Sequence, residues 1–99
     1  MRLWPKKYVE IAANGHLMVG WPEAGPLFYG ALRVWLRLRY GLRREGRTVC
    51  SPDGETLLPD FVGAGVRLES GWDNWSGYYL LSVDDFGDRF LRRTLGRDA

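Results

Sequence analysis

The stretch Pro26-Leu27-Phe28-Tyr29-Gly30-Ala31-Leu32-Arg33-Val34-Trp35-Leu36-Arg37-Leu38-Arg39-Tyr40-Gly41-Leu42-Arg43-Arg44-Glu45-Gly46 decides the fold class. Proline opens it, where a missing N–H costs nothing, and Gly46 closes it as a C′ residue. The spacing predicts a helix over 26–45. At 100° per residue, Leu27, Ala31, Val34, Trp35, Leu38 and Leu42 share one face, while Arg33, Arg37 and Arg44 line the opposite side. Tyr29, Leu32, Leu36 and Tyr40 widen the apolar arc beyond what one sheet face needs.

Strand signals surround this helix. Upstream, Tyr8-Val9-Glu10-Ile11-Ala12-Ala13 and His16-Leu17-Met18-Val19-Gly20-Trp21 flank Asn14-Gly15, a dipeptide that tolerates positive φ at both central positions of a tight hairpin. A two-residue turn there pairs Ala13 with His16, Ile11 with Met18 and Val9 with Gly20. Both hairpin faces are apolar, so it is open whether helices or a second copy of the chain cover it. Downstream, Arg47–Cys50, Glu55–Leu58, Val66–Glu69 and Tyr78–Val83 read as strands, with turns at Ser51-Pro52-Asp53-Gly54 and Gly63-Ala64-Gly65. A short helix over 84–95 ends the chain, capped by Ser82 or Asp84, with Asp85 and Asp88 in its first turn and Arg92 and Arg93 in its last. The fold expected is α+β: an antiparallel sheet of four to six strands packed on helix 26–45, as one domain over 1–99.

Composition narrows the class. The chain has 99 residues, 45% apolar and 14% aromatic, which is too hydrophobic for a disordered chain. One Cys excludes an intrachain disulfide framework and a cysteine-based zinc cluster. No run approaches the roughly 18 apolar residues of a membrane span, and Glu10 and Asn14-Gly15 interrupt anything like a signal-peptide core. A cytoplasmic protein without a membrane partner is expected.

The net charge of +2 hides a segregation. Residues 1–50 hold nine Lys/Arg against three acids, residues 51–91 eight acids against two Arg, and residues 92–99 three Arg against one Asp, giving +6, −6 and +2. Opposed charge blocks steer partners, or attract one another within the fold.

Groups suited to catalysis are sparse. His16 is the lone imidazole and flanks a turn. Cys50 reads as a buried small apolar strand residue, and a His16–Cys50 nucleophile pair would need a third orienting group. Helix capping accounts for Asp84, Asp85 and Asp88 without a metal, and no phosphate loop or dinucleotide fingerprint is present. The expectation is a non-enzyme with no cofactor and no metal.

Two surfaces remain as binding candidates. Glu69, Trp72, Asp73, Trp75, Tyr78, Asp84 and Asp85 combine carboxylates with interface-type aromatics. Arg33, Arg37 and Arg44, with Arg39 and Arg43 on a flank, suit nucleic-acid phosphates.

The run Asp73-Asn74-Trp75-Ser76-Gly77-Tyr78-Tyr79-Leu80-Leu81-Ser82, continuing to Gly87-Asp88, resembles the small immunity proteins that bacteria encode beside polymorphic toxins, including those of contact-dependent growth inhibition systems. It spans about a sixth of the chain. The resemblance implies an inhibitor that occludes or docks beside the active site of a toxin domain, often a nuclease with a basic cleft. A nucleic-acid-binding or phage-type regulator using the Arg face is the second expectation. A small enzyme is the third, and requires a pocket joining His16, Cys50 or paired acids.

Overall fold

The structure, a computed structural model, describes residues 5–52 and 54–95. It is α+β. Seven strands form one antiparallel sheet: β1 (Tyr8–Ile11), β2 (Leu17–Trp21), β3 (Arg43–Glu45), β4 (Val49–Cys50), β5 (Thr56–Gly63), β6 (Val66–Asp73) and β7 (Gly77–Ser82). Their order is β1-β2-β7-β6-β5-β3, with β4 also paired to β5. Helices α1 (Pro26–Tyr40) and α2 (Asp85–Thr94) complete it. The sheet exceeds the expected four to six strands because β3 comes out of the stretch expected to be helical.

Helix α1 stops at Tyr40, not at Glu45. Gly41 adopts the left-handed conformation at φ +71°, which glycine enters without a Cβ penalty. Gly41 N–H then donates to Arg37 O at 2.9 Å and Leu42 N–H to Leu36 O at 3.3 Å. Leu42, fully buried, anchors the chain as it turns back into β3. Of the two glycines able to end this helix, the first does so.

The buried face of α1 also differs from the expectation. Tyr29, Leu32 and Leu36 are buried, whereas Leu27 is 92% exposed, Leu38 81% and Val34 57%. Two apolar stripes run along this helix, roughly opposite each other at helical spacing. The stripe carrying the aromatic Tyr29 goes inward, where its hydroxyl meets Ser70 Oγ at 2.9 Å.

The hairpin forms one register away from the two-residue turn. Ala12 N–H donates to His16 O at 2.8 Å and Gly15 N–H to Ala12 O at 2.9 Å. The loop is therefore three residues, with Gly15 at φ +84°, the next commonest hairpin geometry. Asn14 supports it by accepting from His16 N–H at 2.9 Å and donating to Ser82 O at 3.0 Å. Tyr8 now pairs with Gly20, Val9 with Val19, Glu10 with Met18 and Ile11 with Leu17. A one-residue slip changes which residues share a face.

One side of the sheet carries Leu17, Val19, Trp21, Phe61, Val66, Leu68 and Leu80. It forms a single core with Tyr29, Leu32 and Leu36 of α1 and Phe90 and Leu91 of α2. Strand β5 continues through Pro59 by means of an irregularity between Leu58 and Phe61. This is the setting in which a strand tolerates proline, and the freed Pro59 carbonyl accepts from Arg44 and from Ser70 Oγ.

Candidate functional site

The sheet side away from the helices has a cross-strand row that the register makes visible: Tyr8, Gly20, Tyr79, Gly71 and Leu57 on β1, β2, β7, β6 and β5. Each tyrosine lies over a neighbouring glycine. A Cβ on Gly20 would sit 2.8 Å from the Tyr8 ring, and one on Gly71 would sit 2.5 Å from Tyr79 Oη. Both glycines are thus the floor on which a ring rests, and the rings are held flat against the sheet. The next row is Glu10, Met18, Leu81 and Glu69.

Carboxylates rim the rings. Burial chiefly, then Glu10 and Asp73, push the Tyr8 hydroxyl pKa up, while its hydrogen bond to Ser76 opposes this. Burial chiefly, then Asp73, Glu69 and Glu55, push Tyr79 up. Both phenols therefore stay protonated donors in the field of several acids. A cleft of about 280 Å³ on this side is lined by Arg47, Val49, Leu57, Glu69 and Tyr79 among others.

The seven residues expected to bind a partner do not form one patch. Glu69 is exposed on this open side. Asp73 sits at the β6–β7 turn, its Oδ1 accepting from Trp75 N–H at 2.9 Å and Ser76 N–H at 2.5 Å. Trp75 projects from that turn, 89% exposed. Trp72 and Tyr78 face the other way: they pair with each other on the helix-covered side, and Tyr78 stacks on Tyr29 at 4.8 Å. Asp84 and Asp85 lie beyond the far end of β7, at the start of α2. Asp84 caps that helix by accepting from Gly87 N–H at 2.8 Å. The signal missed in the sequence is the pairing of Tyr8 and Tyr79 with glycines on adjacent strands, which only the register reveals.

At the start of α2, Asp88 Oδ1 accepts from Leu17 N–H at 2.9 Å and its Oδ2 meets His16 Nδ1 at 3.0 Å. Burial would raise the Asp88 pKa, but bonds from His16, Leu17 N–H and Ser82 outweigh it and hold it at about 2. Asp88 in turn raises His16, chiefly through the hydrogen bond. Ligand atoms of His16, Asp85 and Asp88 lie within 4.8 Å of one another. Both Asp88 oxygens are already occupied, so the group ties the hairpin to α2. His16 and Cys50 are not brought together: His16 lies in the β1–β2 hairpin at one end of the strand order, while Cys50, exposed and not buried as expected, lies on the short strand β4 at the other.

Arg33, Arg37 and Arg44 converge, while Arg43, paired with Val62, alternates to the sheet face away from Arg44 and Phe61. A cleft of about 320 Å³ between α1 and β3 is lined by Gly30, Arg33, Val34, Arg37, Leu42, Arg43 and Arg44. Arg39 lies outside that lining and approaches the Tyr40 ring at 5.4 Å.

No known protein family, curated protein or solved structure matches the chain. Among the described residues, no helix is long and apolar enough to cross a membrane.

Proposed function

We propose that this chain is a non-catalytic binding protein of the immunity type, which captures a cationic toxin domain, such as a nuclease, through the open side of its sheet. The observation that carries this reading is the tyrosine–glycine row with Glu10, Glu69 and Asp73 around it, together with Trp75 exposed at the β6–β7 turn. Tyrosine and tryptophan supply rigid contact area at low entropy cost. Carboxylates steer a basic domain in and repel phosphate, which suits occlusion of a nuclease cleft.

The test uses Glu10→Lys with Glu69→Lys, because both side chains are exposed on this side and neither caps a turn or helix. Asp73 and Asp84 do cap, so reversing them would confound binding with folding. Wild-type chain should recover a basic domain as a 1:1 complex from cells that carry both proteins, identified by mass spectrometry. The double variant should associate at least about tenfold more slowly, with the wild-type advantage shrinking as salt rises. Recovery of no basic domain, or equal rates for both chains, would overturn the reading. The second expectation, nucleic-acid binding, draws on the arginine cleft instead.

A further inference from the structure

The arginine cleft lies on a different surface from the open side of the sheet. Its lining includes Arg33, Arg37 and Arg44 and no carboxylate. None of the three takes part in the ion pairs His16–Asp88, Arg67–Glu45 or Arg67–Asp60. Helix α1 contributes no acid at all along its fifteen residues. Arg33 repels the Arg44 guanidinium, and Asp60, outside the lining, offsets this in part; like charges gathered in this way favour an anion between them.

Two further details fit a built site. Arg44 is fixed: it donates to Tyr29 Oη at 2.8 Å and Pro59 O at 3.0 Å, and its guanidinium lies 4.4 Å over the Phe61 ring. Its Nε has no acceptor among the described residues. Arg33 and Arg37 stand one turn apart on α1, both exposed, and can close on a ligand from the opposite bank. The second detail is Gly30. Glycine is the costliest residue in a helix interior after proline, and no packing demands it here, since a Cβ would meet nothing within 4 Å. What its missing side chain does is leave the cleft open along the helix backbone.

We infer that the α1–β3 cleft is a phosphodiester site that seats the backbone of a nucleic acid. Guanidinium forks match phosphate oxygens bidentately, and contacts confined to phosphate position a strand without reading its sequence. This goes beyond the proposed toxin capture and does not depend on it.

The probes are a fluorescein-labelled mixed-sequence RNA oligonucleotide and a DNA duplex, followed by anisotropy at low salt. At least one should bind with micromolar affinity, with little sequence preference. The slope of log K against log salt should be about −2 to −3, as about three phosphate contacts require. Arg33→Gln with Arg37→Gln should weaken binding at least about tenfold. Gly30→Leu, which removes no charge and favours the helix, should weaken it about threefold or more by filling the cleft. Glu10→Lys with Glu69→Lys should not weaken it, which separates this site from the toxin-binding side. Circular dichroism and melting curves confirm that each variant is folded. The inference falls if neither oligonucleotide binds, if inorganic phosphate alone binds, or if the folded Arg33/Arg37 and Gly30 variants bind like wild type.

Discussion

His16 and Asp88 lie 72 positions apart in sequence and 3.0 Å apart in space, and the pair makes the fold pH-sensitive in a defined direction. His16 is raised when folded, so its contribution is complete below its ordinary pKa of about 6.5 and is lost as pH climbs through the raised value. Asp88 is lowered to about 2, so its contribution is present above the ordinary carboxylate pKa and is lost as pH falls toward 2. The difference in urea midpoint between wild type and His16→Gln should therefore be largest near about pH 5 to 6 and shrink as pH climbs through the raised His16 value. A pH-independent difference would assign the effect to packing. Glycines give a second residue-scale contrast. Gly71→Ala drives a Cβ to 2.6 Å from Thr56 O, a backbone atom that cannot rotate away, and should cost about 1–3 kcal/mol. Gly30→Ala should stabilise by about 0.5–1 kcal/mol. Thermal melting of both variants checks the signs. The helix cap at Asp84 was readable because its partner is three residues away. The His16–Asp88 contact was not, because nothing local records it.

Among the elements, α1 shows what periodicity can and cannot decide. It carries two apolar stripes, and helical spacing alone gives no reason to bury Tyr29, Leu32 and Leu36 rather than Leu27, Val34 and Leu38. The choice is made across the sheet, by Ser70 and Phe61 meeting Tyr29. Leu36→Ala should accordingly cost about 2–5 kcal/mol, while Leu38→Ala should change stability by less than about 0.5 kcal/mol. Equal costs in a denaturation series would mean that the helix is turned the other way. The early stop at Gly41 follows the same pattern: Gly41 and Gly46 both suit a helix end, and the pairing of Arg43–Glu45 with β5 selects the first. In the hairpin, Asn14-Gly15 correctly marked the turn, but the Asn14 bond to Ser82, a long-range contact, accompanies the three-residue loop that set the register. The tyrosine–glycine row depends on that register and so was hidden with it.

Across the whole molecule, the opposed charge blocks seen along the chain become two separate surfaces. Arg33, Arg37 and Arg44 gather at the α1–β3 cleft, while Glu10, Glu69 and Asp73 surround the tyrosines on the open sheet. The +6 and −6 blocks neutralise each other only in part: Asp60 acts on Arg44, and Arg67 bridges Glu45 and Asp60. The expected outcome is separable function: reversing Glu10 and Glu69 should silence only a basic partner, and neutralising Arg33 and Arg37 only an anionic one. Parallel titrations of both variants with both ligands check this, and a variant that loses both would show that the surfaces are coupled.

Trp75, at the tip of the β6–β7 turn, also equips the protein with an optical reporter. Trp21 is wholly enclosed and Trp35 and Trp72 are half-buried, so the long-wavelength edge of the emission spectrum belongs to Trp75 among the described tryptophans. A partner that reaches from the tyrosines over the β6–β7 turn should dry this indole, shifting its emission to the blue and shielding it from acrylamide. An oligonucleotide in the arginine cleft should leave that edge where it is.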